Sequence, residues 1–150
     1  MNEKLKREIQ SSIKRNGYIV IVEDENDRQE EFLKDLQTFF PEIAVLLNYS
    51  LDKSIGSIKE MLQSSPLMLA NLDDALDDVF QRDSVYNKKL TKKESVYYSL
   101  IEFREHTRKY PLVVLCNSKN KSLIMTSAAD LTSHIGNIIF LDRYREEMLP

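Results

Sequence analysis

The segment Tyr18-Ile19-Val20-Ile21-Val22-Glu23-Asp24-Glu25-Asn26 constrains this chain more than any other. A run of apolar and β-branched residues leads directly into three acids. A run this short and this continuously apolar is the pattern of a strand buried on both faces, as in a parallel sheet. Helices must then cover both faces of that sheet. In open α/β sheets, ligands bind in the crevice outside the carboxyl ends of the strands. The segment therefore predicts a fold class and, with its acids, the edge at which a site should lie.

The remaining chain repeats the alternation. Leu5, Ile9 and Ile13 form one apolar stripe at helical spacing, which predicts a helix over 3–15 ended by Asn16-Gly17. A first crossover helix is expected from about Asp27 to Phe40, with Phe32, Leu33, Leu36, Phe39 and Phe40 facing inward and Pro41 stopping it. Further strands are expected at 18–22, 43–49, 67–72, 112–116 and 138–141. Between them, helices are expected over 52–63 and 121–134, the second capped at Gly136. The long segment 75–110 has room for two helices, and Thr91-Lys92-Lys93-Glu94 matches a capping box for the second. Five apolar strands alternating with helices imply an α/β fold, a doubly wound five-stranded parallel sheet. Residues 1–150 are expected to form a single domain, with no repeat, low-complexity tract or interdomain linker.

Bulk properties narrow the function classes. At 150 residues the chain is long enough to bury roughly 70% of its unfolded surface. A net charge of -3 argues against a nucleic-acid footprint, which needs a basic face. Cys116 is the sole cysteine, which excludes an internal disulfide and a multi-cysteine zinc site. No apolar run approaches the ~20 residues of a membrane span. The charged start Met1–Arg7 leads into no hydrophobic signal segment, so a cytoplasmic location is expected. With three glycines in all, the chain holds neither GxGxxG nor GxxxxGK[ST].

The order of elements and the residues Ile19-Val20-Ile21-Val22-Glu23-Asp24-Glu25 resemble the receiver domain of bacterial response regulators. The resemblance covers the chain from Tyr18 to about Arg143. It implies a flavodoxin-like sheet of order 2-1-3-4-5. It also implies that Glu23 and Asp24 match the family's acidic pair, which helps to bind Mg²⁺ beside a phospho-accepting aspartate at the end of strand three. That aspartate's place falls on Asn71, an amide that is a poor nucleophile. Asp73 and Asp74 are the substitutes if the strand ends later. The family's switch Ser/Thr falls on Cys116, and its lysine after strand five falls on Asp142, which reverses the charge. The chain thus resembles a degenerate, or pseudo-, receiver with an insertion between strands three and four. The family's final helix is expected to be missing, with helix 3–15 packed in its place.

Each candidate also has a plainer meaning. Glu23, Asp24 and Glu25 are either a divalent-cation pocket or acids at a helix N-terminus, with Asp24 or Asn26 as its cap. Asp73-Asp74 either accepts a phosphoryl group or opens the next helix. Cys116 is expected to be an inert core thiol, and His106 and His134 have no second ligand at zinc spacing. Lys88, Lys89, Lys92 and Lys93 are either a docking surface or a solvated loop.

These residues lead to an expected signalling module that binds a protein partner, a histidine-kinase-like sensor or another regulator, without accepting phosphate. A homodimer follows from the family resemblance. The alternative is a Mg²⁺-dependent hydrolase or phosphotransfer enzyme using Glu23, Asp24, Asp73, Asp74 and Asp142. No cofactor other than Mg²⁺ is implied, and neither nucleic acid nor membrane is an expected partner.

Overall fold

The computed structural model describes residues 1–14, 19–24, 29–49, 54–75, 103, 105–127 and 134–147. The expected capping box at Thr91, the lysines 88–93 and most of the inserted segment 75–110 lie outside these residues, as do Glu25, Asn26 and the Asn16-Gly17 stop.

Helix α1 spans Glu3–Ile13, and the Asn2 side chain caps it by accepting the Lys4 N–H at 2.7 Å. Strand β1 (Ile19–Glu23) leads to α2 (Gln29–Phe39), β2 (Ala44–Leu46), α3 (Ile55–Met61) and β3 (Leu67–Leu69). A 3₁₀ turn at Glu105–Arg108 precedes β4 (Leu112–Cys116), followed by α4 (Ser118–Ser127), β5 (Ile135–Phe140) and α5 (Leu141–Glu147). Residues 72–75 are helical, so Asp73-Asp74 lies in the opening of a helix after β3.

All five strands are parallel. Alternation along β1 divides the core between two faces. Ile19 and Ile21 pack with Ile58 of α3, Leu62 at its C-terminal cap, Phe103, and Ile124 of α4. Val20 and Val22 pack with Leu5 and Ile9 of α1, Leu33 and Leu36 of α2, and Leu141 of α5. The sheet is therefore covered on both sides, which is why its strands read as unbroken apolar runs.

The strand order is β2-β3-β4-β1-β5, not the expected 2-1-3-4-5. Remove β1 from both orders and the same sequence 2-3-4-5 remains, so a single strand has changed place. Ladder length accounts for its position. The five residues of β1 pair in full register with the five of β4, from Ile19↔Leu112 to Glu23↔Cys116. On its other side β1 pairs with the longer β5, through a register shift between Ile19 and Val20. Three-residue β2 and β3 pair with each other and would leave part of the β1 ladder unpaired, and buried backbone groups need partners.

Other boundaries also move. Strands β2 and β3 stop three residues short of the expected 49 and 72, where Tyr49 and Asn71 begin the edge loops. The crossover helix between β4 and β5 starts earlier than expected, at Ser118. Gly136 lies inside β5 rather than capping that helix, and Leu141 opens α5 rather than ending the strand. The expected absence of a final helix is overturned: α5 follows β5 directly. Helix α1 does cover the sheet face near β1 and β5. Asn137 of β5 anchors it by donating to Glu8 Oε2 and Ser12 Oγ, each at 2.9 Å.

Candidate polar site at the carboxyl edge of the sheet

Because every strand points the same way, their carboxyl ends share one edge. Asp24, Asn71 with Asp73-Asp74, Cys116-Asn117 and Asp142 follow β1, β3, β4 and β5 there. The crossover from β1 to β2 runs one way across the sheet. Those from β2, β3 and β4 run the other way. Right-handed crossovers then put α2 on one face and α3 and α4 on the other. The helices after β1 and β4 diverge to opposite faces, so the crevice between these two strands is the topological switch point, the usual ligand position of open α/β sheets.

The Cys116-Asn117 peptide group sits at this point and is bonded on both sides. Its carbonyl accepts the Asp24 N–H at 2.9 Å. Its N–H donates to both carboxylate oxygens of Asp73, at 3.3 and 3.2 Å. The Asn120 amide nitrogen also donates to Asp73. Asn117 in turn caps α4, its Oδ1 accepting the Asn120 N–H at 2.9 Å. Asp73 thereby ties the chain after β3 to the start of α4. The amide orientation of Asn120 follows from this contact, since only its NH₂ can donate to a carboxylate. Its Oδ1 is buried without a hydrogen-bond partner among the described residues.

Asp24 is 3% exposed, so the β1 acid that follows the strand is an interior group. Nothing is described of the Glu23 side chain. Asn71 adopts a left-handed backbone, φ 53°, a conformation that asparagine tolerates better than most residues. Its carbonyl accepts the Ala75 N–H at 3.2 Å and so starts the helical turn. Cys116 is fully buried in the core, as the inert reading required. Asp142 lies in the first turn of α5, where an acid is favoured by the helix dipole.

The strand order separates the residues that the receiver resemblance brings together. Strand β4 stands between β3 and β1. Two strand spacings amount to roughly 10 Å, so a Mg²⁺ ion held jointly by the acids after β1 and the residue at Asn71 does not fit. Among the described residues, no group of three or more His, Cys, Asp or Glu side chains is placed to hold a metal ion.

Asn117, Asn120 and Tyr49 were not singled out in the sequence. Asn117 had a legible signal, a capping residue directly after an apolar strand with a helical pattern beyond it, whereas Asn120, inside that helix, had none. Tyr49 had none. Its hydroxyl is buried without a hydrogen-bond partner among the described residues. Burial first, then the charges of Asp73, Cys116 and Asp74, push its ionisation well above the ordinary phenol range.

Among the described residues, no helix is long and apolar enough to cross a membrane. The chain matches no protein-family model, no curated protein sequence and no solved structure.

Proposed function

We propose that this protein is a receiver-like signalling module that works by binding a protein partner at the carboxyl edge of its sheet, and not by accepting a phosphoryl group. One observation carries the reading. Asp73, the acid after β3 that turns inward, is held by the Asn117 N–H and the Asn120 amide. An acyl phosphate there would have to break those bonds, and Asn71 offers an amide in the acceptor's place. A module that is not switched by chemistry is still switched by binding, since a partner with unequal affinity for two states shifts their populations. A histidine-kinase-like sensor, another regulator or a second copy of the chain fits this role. Incubation with acetyl phosphate and Mg²⁺ tests it. The mass stays unchanged if the reading holds, and a phosphoryl adduct on Asp73 or Asp74 overturns it.

A second reading, a Mg²⁺-dependent hydrolase or phosphotransfer enzyme, is favoured by one point of geometry. The Asp24 backbone and the Asp73 carboxylate flank one peptide group at the switch point, and Asp24 is buried there. Phosphatase or nuclease activity that disappears in Asp24→Ala would favour it over the first.

A further inference from the structure

Beyond Asp73, on the side of the edge away from β1, a cavity of about 220 Å³ lies between the ends of β2 and β3. Leu47, Asn48 and Tyr49 line it from the β2 end, and Asn71, Asp74 and Ala75 from the β3 end. Its polar groups are poorly satisfied. The buried Tyr49 hydroxyl has no hydrogen-bond partner among the described residues. Exposed Asp74 has no ion-pair partner among them. The Asn71 amide reaches the Leu47 carbonyl only at 3.5 Å, the outer limit of a hydrogen bond. Among the described residues, the cavity therefore collects oxygen acceptors around the negative charge of Asp74, and none of the described residues lining it is a cation.

We propose that this cavity receives the guanidinium of an arginine side chain presented by a partner protein. The proposal rests on the binding role proposed above and names the chemistry of the partner. A guanidinium carries five N–H donors in a planar fork and a charge that does not titrate away. Asp74 supplies the opposite charge. The Tyr49 and Asn71 oxygens, on opposite walls, accept N–H groups that a single ammonium would not span. The Tyr49 phenol is held neutral, so it offers lone pairs without a second charge. Leu47, 48% exposed at the rim, offers apolar surface to the aliphatic stem of the arginine. Free arginine is a poorer occupant. Its α-carboxylate would meet the acids Asp73 and Asp74, whereas an arginine within a peptide has none.

Amide NMR titration of the full chain tests the proposal, with three probes: an end-capped arginine tripeptide, the same peptide with uncharged citrulline, and free arginine. The capped arginine peptide shifts the amides of residues 47–49 and 71–75, and the citrulline peptide does not. Asp74→Asn weakens binding about tenfold, as expected for loss of a charge-assisted contact. Tyr49→Phe weakens it less. Equal binding of citrulline, no response to the arginine peptide, or full binding by a folded Asp74→Asn variant overturns the proposal. Free arginine binding as tightly as the peptide also overturns it, in favour of a small-molecule site. The citrulline comparison needs no variant, so it stands if a substitution impairs folding. A phosphoryl adduct in the mass experiment would defeat the binding-only role without changing these shifts, so the two ideas fail separately.

Discussion

The side-chain amide of Asn120 donates to the carboxylate of Asp73 across 47 residues of chain. Asn120 is 1% exposed, and the same carboxylate takes the N–H of Asn117 at 3.2 Å. A buried amide beside a carboxylate with two donors makes a fastening between β3 and α4. Its worth follows from the charge, because hydrogen bonds to an ionised group contribute more than neutral ones.

Removing Asp73 leaves the Asn120 amide and the Asn117 N–H unsatisfied. Asp73→Ala is expected to lower stability by about 2–3 kcal/mol. Asn120→Asp should cost more than Asn120→Ala, because it sets a second carboxylate against Asp73 in a buried position. Urea unfolding of Asp73→Ala, Asn120→Ala and the double variant measures the coupling, expected at about 1–2 kcal/mol. Strict additivity would mean that the contact contributes nothing.

Asn117 has a separate role through its side chain, as the cap of α4. Asn117→Ala is expected to cost about 1 kcal/mol, and Asn117→Ser to recover most of it. Thermal unfolding of the two variants distinguishes a lost cap from a lost packing contact, since serine restores only the former.

Asn71→Asp rebuilds the carboxylate that a receiver places at the end of strand three. It should not rebuild the chemistry. Strand β4 separates position 71 from the acids after β1, so Asp24 cannot share a metal ion with the new carboxylate. Mass spectrometry after acetyl phosphate and Mg²⁺ should find the variant unmodified. Asn71→Val, by contrast, places a β-branched residue at a positive φ and should destabilise the fold by about 1–2 kcal/mol.

Tyr49 predicts an alkaline sensitivity. Its phenol is held protonated in the folded state, mainly by burial. The unfolded chain releases that proton near pH 10. Above this pH the unfolded state binds fewer protons than the folded state, so stability falls as pH rises. Below it the contribution is fully present. Tyr49→Phe removes both the proton and the unpartnered hydroxyl. The variant should be as stable as the parent or up to about 1 kcal/mol more stable near neutrality. It should also lose less stability between neutral pH and the alkaline range. Unfolding curves across that range measure both effects, and a parallel pH dependence for parent and variant would contradict them.

The parts legible in the sequence were those set by local pattern. Val20 and Val22 alternate with Ile19 and Ile21, and each pair finds a different face of the sheet. Leu5 and Ile9 announced α1, and Leu112–Cys116 announced β4 without a boundary error. Asp24, Asp73 and Asp142 fall near the carboxyl edge because polar residues follow each buried run, but Asp73 and Asp142 stand in the first turns of the helices after β3 and β5 rather than directly at strand ends. Misplaced boundaries came where two signals competed. Gly136 reads as a helix stop but is accommodated within β5, and Leu141 reads as strand but opens α5.

By itself, then, the sequence determined that strands buried on both faces alternate with amphipathic helices, and that acids gather at the carboxyl ends of those strands. Apolar periodicity encodes both, because burial is decided residue by residue. Only the tertiary structure decided which strands are neighbours. Pairing β1 with β4 and β5 depends on ladder lengths and registers between segments about ninety or more residues apart, and local composition does not carry that information. That choice moved Asn71 away from Asp24 and set Asp73 against Asn117 and Asn120. The acids predicted for one pocket were thereby divided between two positions along the edge.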